Sequence, residues 1–328
     1  MMWKMRHSSN TLLSYVIPAY NEEAGIAAFH QTLMHVVQSD PHHYGHEVVF
    51  VNDGSTDKTL DILTGIAKKD KAVRVVSLSR NFGKEIALAA GIEAATGDAI
   101  ITLDADGQFP VERIPEFVAL WRDNDADVVV GIRTSNQKEG IVKRFGSKLF
   151  YRMANALPDV RLVPGSTDFR LIDKSVQQDF IRLSERNRIT RGLIDWLGYD
   201  QQYVHFKAKA RAQGDSPQSF TKLFRLSIDS FISLSKFPLY FAAYLGAFLM
   251  PLSALLLIGM IVDHMAGDPL NLRATGSAYI IVGLVGLIGI LLASQGILGL
   301  YLSHIHAESQ GRPLYIVNKK RSINLQKR

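Results

Sequence analysis

The chain contains no cysteine, which excludes disulfides and thiolate metal sites and leaves the redox compartment unread. Its 328 residues hold no internal repeat, low-complexity tract or coiled-coil heptad, so one large or two modest domains are expected. The polar, basic residues 1–10 contain no apolar core. No secretory signal is read there, and the N-terminal part is expected to stay in the cytoplasm. Charge is missing altogether from 26 consecutive positions, 237–262, and from 25 more, 278–302. Each run exceeds the roughly 20 residues needed to cross a hydrocarbon core. Elsewhere charge is plentiful but only mildly unbalanced, at +6 net. That value suits an anionic membrane surface or phosphate-bearing substrates as well as nucleic acid.

The two uncharged runs organise the second half. The connection 263–277 carries one Arg and no Lys, whereas the flanks 205–236 and 303–328 each carry six basic residues. The positive-inside bias therefore places both flanks in the cytoplasm and the connection outside. Tyr240, Tyr244, Tyr279 and Tyr301 sit near the span ends, as interfacial aromatics do. Gly283, Gly286, Gly289, Ala293, Gly296 and Gly299 give the second span a small-residue face, suited to pairing the spans or joining subunits. Before the first span, Phe220, Phe224, Ile228 and Phe231 share a helical face, with Lys222, Arg225 and Asp229 off it. This is the pattern of a helix lying on a bilayer. The expected layout is a cytoplasmic catalytic domain over 1–217, an interfacial helix over 218–236 and spans over 237–262 and 278–302. The loop 263–277 joins the spans, and a basic tail occupies 303–328.

The first half alternates. Short apolar runs at 12–17, 48–51, 73–78, 99–103 and 128–130 read as strands. Helical spacing fills 22–37, 57–68, 84–95 and 112–123 between them. This predicts an α/β domain with a mostly parallel, Rossmann-like sheet covered on both faces. Further on, 142–156 reads as a helix, and 169–172 and 203–206 as short strands. Ligands of such sheets bind at the carboxyl edge. Three strands end there in acidic clusters: Pro18-Ala19-Tyr20-Asn21-Glu22-Glu23, Asn52-Asp53-Gly54-Ser55-Thr56-Asp57 and Asp104-Ala105-Asp106-Gly107-Gln108. An Asp-Gly turn with Ser, Thr or Asp capping the next helix accounts for 55–57. It does not account for acid at three strand ends of a basic protein. The Asp-x-Asp pair is able to hold a divalent cation that in turn holds a diphosphate, because Mg²⁺ takes one or two carboxylates plus phosphate oxygens. A fourth cluster, Arg80-Asn81-Phe82-Gly83-Lys84-Glu85, opens a helix, and a helix N-terminus beside Lys is a fair phosphate site.

These clusters, with Asp168-Phe169-Arg170-Leu171 and with Arg211 preceding Gly214-Asp215-Ser216, resemble family 2 glycosyltransferases of the GT-A fold. With two C-terminal spans, the chain is similar to the bacterial polyprenyl-phosphate glycosyltransferases of the bactoprenol glucosyltransferase type, relatives of dolichol-phosphate mannose synthase. The resemblance implies that Pro18, Tyr20, Glu22 and Asp53 line a nucleotide pocket and that Lys84 and Ala105 adjoin the donor. Asp104, Asp106 and Gln108 would surround Mg²⁺ or Mn²⁺ and the donor diphosphate. Arg133 would reach a phosphate, Asp168 and Arg170 would stand at the reaction centre, and Arg211 and Ser216 would hold the acceptor phosphate or the donor diphosphate near the membrane. Two local departures bear on loop shape: Gly107-Gln108-Phe109-Pro110 where relatives have Leu-Gln-Asp-Pro, and Pro217-Gln218 where a basic residue and an aromatic are usual.

The implied activity is inverting transfer of a hexose from a nucleotide-diphosphate sugar, UDP-glucose first, to undecaprenyl phosphate at the bacterial inner membrane. Both termini would be cytoplasmic. The implied partners are the donor, the lipid phosphate, the bilayer and a possible second copy of the chain, with no nucleic acid. Alternatives are a GDP-mannose-dependent mannosyltransferase and a non-catalytic, membrane-anchored nucleotide-binding subunit. A processive synthase of the same family is disfavoured, since no Arg-Trp pair occurs.

Overall fold

The computed structural model describes residues 11–123, 125–134, 163, 165–185, 188–207 and 276–325. The expected helix at 142–156, the interfacial helix, the first span, most of the connecting loop, Arg211 and Ser216 lie outside them. The chain divides into two compact units, Met1–Pro217 with Arg312–Arg328, and Gln218–Gly311.

In the first unit, strands and helices alternate as β1 (Leu12–Ala19), α1 (Ile26–Gln38), β2 (Gly45–Asn52), α2 (Thr59–Lys69), β3 (Val73–Ser77), α3 (Lys84–Ala94) and β4 (Ala99–Thr102). A short 3₁₀ turn (Val111–Arg113) leads into α4 (Ile114–Asp123) and β5 (Val128–Arg133). Then come β6 (Ser166–Asp173), α5 (Lys174–Arg182), α6 (Thr190–Trp196) and β7 (Gln201–Phe206). The seven strands form one sheet in the order β3-β2-β1-β4-β6-β5-β7.

The sheet is mixed, and strand direction decides which residues share an edge. β3, β2, β1 and β4 run parallel, as do β5 and β7. β6 lies antiparallel between β4 and β5. The start of β6 therefore sits at the same edge as the ends of β1, β2, β4 and β5. This mixed α/β sheet is consistent with the GT-A fold expected from the sequence.

Both faces of the sheet are dry over β1 to β5, which is why those strands read as apolar runs, whereas β7 is open on one face. Side chains alternate between two cores. Leu13, Ile17, Phe50 and Ile101 pack with Leu33, Leu63 and Phe117 on the α1, α2 and α4 side. Val16, Val51, Ile100 and Ile172 pack with Leu88, Ile92, Phe180 and Ile194 on the α3, α5 and α6 side. Helix α3 is built almost entirely of small residues at its buried positions. A Cβ at its Gly91 would run into Val16 and Val51, so the helix lies close on β1 and β2. Its first residue, Lys84, is thereby fixed at the carboxyl edge.

The tail is not free along its whole length. Residues 315–324 return to the first unit and cover the outer edge of β3, with antiparallel bridges Val75 to Ile323 and Leu78 to Val317. The Ser79 amide donates to Ile316 O at 2.8 Å, and Asn318 N donates to Ser77 O at 2.8 Å. The Asn324 amide donates to Ala67 O and Val73 O, and the Tyr315 hydroxyl donates to Glu93. The tail's charges made it read as a solvated segment, but its apolar Val317 and Ile323 answer the open hydrogen-bonding edge of β3. An uncovered edge strand is a template for unwanted pairing.

In the second unit the described helix is α7 (Gly276–Ser309), 34 residues that contain the uncharged run 278–302. Judged on the residues whose side chains are described, no helix is long and apolar enough to cross a membrane.

Ending the chain at Gly311 removes the segment over β3. Losing several backbone hydrogen bonds at about 1 kcal/mol each is expected to lower Tm by on the order of 10 °C. It should also make the protein self-associate in light scattering. An unchanged Tm and a monodisperse sample would show that the tail is not part of the domain.

Candidate active site

The polar clusters of the first half meet at one edge because β1, β2, β3 and β4 are parallel neighbours. The loops after β1 and β2 are stitched to each other. Asn21 N donates to Ser55 Oγ, Thr56 N to Asn21 Oδ1, and Glu22 N to Thr59 Oγ1. Glu23 N donates to Asp57 Oδ2, and Lys58 N to Glu23 Oε2. Residues 55–57 are thus loop fasteners as much as caps. Pro18 is buried, and Tyr20 stands 44 % exposed at the rim.

Asp53, expected in a nucleotide pocket, lies at this edge with both oxygens already engaged. It is buried, and its two oxygens accept from Phe82 N at 2.7 Å and Gly83 N at 2.9 Å. Burial pushes its carboxyl above the usual range, with these amides and Arg80 pulling the other way. Its position makes it a clamp on the loop that carries Lys84. Gly54 beside it has φ +66, and a Cβ there would meet the Arg80 and Asn81 backbone. The two loops pack main chain on main chain, which only glycine allows at that position.

The centre of the site is a lysine between two aspartates. Lys84 Nζ lies 2.7 Å from Asp104 Oδ1 and 2.8 Å from Asp168 Oδ2. The antiparallel register explains the meeting: Thr102 pairs with Arg170, two residues short of Asp104 on one strand and of Asp168 on the other. Asp168 Oδ1 is buried and accepts no hydrogen bond among the described residues. Burial pushes Asp104 up to about 6, against the pull of Lys84 and with the added push of Asp168 and Asp106. Burial also penalises Asp168, but Lys84, Arg191 and Arg170 outweigh it and hold that carboxyl below the usual range. Lys84 is desolvated as well, yet the two carboxylates raise its pKa.

Asp106 lies in the turn after β4, where its Oδ1 accepts from Gln108 N at 3.0 Å. Ala105 is buried beside it, and Gln108 is half-buried in the same turn. Glu22 is half-buried after β1, and Arg133 is exposed at the end of β5.

Arg170, expected at the reaction centre, stands behind it with its guanidinium engaged. It shares a sheet face with Asp168, but its guanidinium is turned into the protein beneath α6. It contacts Asp195 at 2.7 Å and donates to Thr167 O at 3.0 Å, with the two ionic side chains 2 % and 5 % exposed. It anchors α6 and lends its charge to Asp168 from behind.

Two residues to which the sequence assigned no role also bear on the centre. Glu85, next to Lys84, accepts from Thr190 N at 2.8 Å, and its carboxyl is raised by burial and by Asp168. Arg191, on α6, is exposed and acts on Asp168 through its charge. No spacing in 188–191 marks it; only the docking of α6 brings it near.

Among the described residues, no group of three or more acidic, His or Cys side chains is placed to hold a metal ion by itself. Asp104 and the unpartnered oxygen of Asp168 nevertheless offer hard oxygen donors. Two carboxylates suffice for Mg²⁺ when substrate phosphates complete its shell. The donor set therefore fits an ion that arrives with a diphosphate, with Asp106 and Gln108 in the adjoining turn.

The chain as a whole has relatives among known proteins. Residues 14–180 match the model of Glycosyl transferase family 2. The glycosyltransferase sll0501 of Synechocystis sp. is 39% identical over 93% of this chain and 94% of its own. The bactoprenol glucosyl transferase of Shigella phage SfV is 35% identical over 94% of this chain and 99% of its own. The prophage bactoprenol glucosyl transferase homolog of Escherichia coli K12 is 33% identical over 94% and 98%. The chain belongs to glycosyl transferase family 2, and it is a transferase enzyme.

Breaking the buried Arg170–Asp195 pair should cost about 3–5 kcal/mol, read as a fall in denaturant midpoint for Asp195→Asn. The double variant Arg170→Met/Asp195→Leu should recover stability and retain turnover per folded molecule to within about tenfold, the residual loss reflecting the charge removed from behind Asp168. A stable double variant with no turnover would return Arg170 to the reaction centre.

Proposed function

We propose that this enzyme transfers a hexose, glucose first, from a nucleotide-diphosphate sugar to a polyprenyl phosphate. The observation that carries the reading is the Asp104–Lys84–Asp168 cluster, in a chain that aligns end to end with proteins named bactoprenol glucosyl transferase. In the reaction, an acceptor phosphate oxygen attacks the sugar C1. The new C1–O bond forms as the bond to the nucleoside diphosphate breaks, and the leaving diphosphate keeps the electron pair. A phosphate monoester has a second pKa of about 6, so its oxygen is mostly anionic at neutral pH and needs little general-base help. The hard part is holding two phosphate-rich substrates together and steadying the departing charge.

Asp104 and Asp168 would hold a divalent cation. That cation would supply charge neutralisation for the leaving diphosphate. Lys84 offers its ammonium to the donor phosphates, and a preorganised donor aimed at developing charge is an effective stabiliser. Asp53 and Gly54 keep the Lys84 loop rigid. Arg133 lies at the same edge and suits a phosphate contact, and Arg211 and Ser216 are our candidates for the acceptor phosphate. We place the catalytic domain on the cytoplasmic face of the bacterial inner membrane. The helix 218–236 would lie on the surface and the runs 237–262 and 278–302 would span, a reading supported by their lack of charge and their basic flanks.

The test is purified full-length protein with undecaprenyl phosphate, UDP-glucose and other nucleotide sugars, with mass spectrometry of the lipid as the readout. The expected product is the lipid phosphate heavier by one hexose, formed from UDP-glucose and abolished by EDTA. Donor consumption that ignores the lipid phosphate would overturn the acceptor. Preference for GDP-mannose would overturn the donor, and full turnover in chelator would overturn the metal.

A further inference from the structure

A second opening lies apart from the carboxyl edge. Helix α3 settles over β1 and β2, so on that face the outer strand β3 is left to the C-terminal segment, whose Tyr315 and Val317 pack against the same core. The two covers do not meet completely. Between them, within the first unit, lies a half-open cavity of about 890 Å³. Its lining residues Ala90 and Ala94 stand one turn apart on one face of α3, and their side chains are too short to fill it. Packed interiors leave few voids larger than a water molecule, whereas small-molecule sites run to about 300–1,000 Å³. Ala94 is about 15 Å along the helix from Lys84, so the cavity is separate from the reaction centre.

The walls combine apolar side chains with two cations. Val76, Leu314, Val317 and Leu325 join the alanines, and Arg74 of β3 and Lys319 of the C-terminal segment supply the charge. Glu93, the acid in the lining, already accepts from the Tyr315 hydroxyl at 2.6 Å. Arg74 is 6 % exposed, and its Nη1 donates to Glu47 Oε2 at 2.7 Å. That ion pair is reason enough for a buried arginine, and it occupies Nη1. It leaves Nε buried with no acceptor among the described residues. The other oxygen of Glu47 is taken by Ser14 and Thr96. A buried N–H without an acceptor is costly, and an anion is its strongest partner.

We propose that this cavity is a second ligand site, for an amphiphile with one apolar chain and one anionic head, a carboxylate or a phosphate. The chain lies against Ala90, Ala94, Val76 and Val317. The head takes the unused Nε–H of Arg74 and the ammonium of Lys319. Such a ligand bridges α3 and the C-terminal segment. The same segment accepts from Ser79 N through Ile316 O, so occupancy also steadies the stretch that leads to Lys84.

The test uses full-length protein in nanodiscs, titrated by calorimetry with decanoate and with decyl phosphate against empty nanodiscs. The control is 1-decanol, which has the chain without the charge. Wild type should bind one saturable equivalent of a charged probe, about tenfold or more tighter than decanol, the scale of one charge-assisted hydrogen bond. The tighter of the two charged probes names the head group. Ala94→Leu, which fills the cavity, should remove that equivalent. Lys319→Gln and Arg74→Lys should weaken the charged probes and leave decanol unchanged, since Lys keeps the charge for Glu47 but lacks the Nε–H. Melting curves and turnover without probe check that each variant is folded. If Arg74→Lys does not fold, Lys319→Gln carries the charge test. No saturable binding above empty nanodiscs would overturn the site. Undiminished binding by Ala94→Leu would place the amphiphile elsewhere, at the acceptor site for instance, and overturn it equally. Decanol bound as tightly as the charged probes would overturn the recognition of an anion.

Discussion

Two carboxylates at one buried edge require a cation between them, and the rest of the site depends on that requirement. Asp104 ends a parallel strand, and Asp168 begins the one antiparallel strand in the described sheet. Their meeting is set by the β4–β6 register. Like charges this close in a partly dry setting do not both stay ionised without compensation. Asp104 shows the strain, pushed up to about 6, and Lys84 supplies the compensation. The opposite edge makes a useful contrast. There Glu47 is just as buried, but Ser14, Thr96 and Arg74 supply hydrogen bonds to it. Burial raises that carboxyl, and these bonds outweigh burial to hold it low. One edge closes its charge with several hydrogen-bond partners, whereas the other closes it with a single lysine.

The scaffold around the lysine is rigid for identifiable reasons. The loops after β1 and β2 fasten to each other, and Asp53 fastens the second of them to the loop after β3. Gly91 lets α3 settle onto β1 and β2. The C-terminal segment reaches the same loop from outside through the Ser79–Ile316 hydrogen bond. Residues far apart in sequence therefore hold one short stretch, 79–84, from both sides. That stretch carries Lys84, whose ammonium closes the centre.

The sheet was legible in the sequence because its central strands are dry on both faces and appeared as apolar runs. The carboxyl edge was legible because parallel strands repeat the same end. What the runs could not express was direction. An antiparallel β6 looks the same as a parallel one, so Asp168 entered through family resemblance alone, and the register then gave it a physical place. Arg170 shows the reverse case. Its motif matched, but a neighbouring Asp195, unmarked by any spacing, takes up its guanidinium. Asp53 kept its place at the edge and changed its work from ligand contact to clamp. The docking of the tail was not legible because its charges outnumber the two apolar residues that bridge to β3. Glu85 and Arg191 stayed silent because their influence on Asp168 depends on how α6 packs, which no local pattern records.

The central claim is that Asp104 and Asp168 act as one unit. A double-mutant cycle on turnover measures this directly, using Asp104→Asn, Asp168→Asn and the pair together. If the two carboxylates form one centre, each single substitution removes nearly all that the double removes, and the losses are far from additive. Losses that simply multiply, with each aspartate contributing independently, would contradict the account.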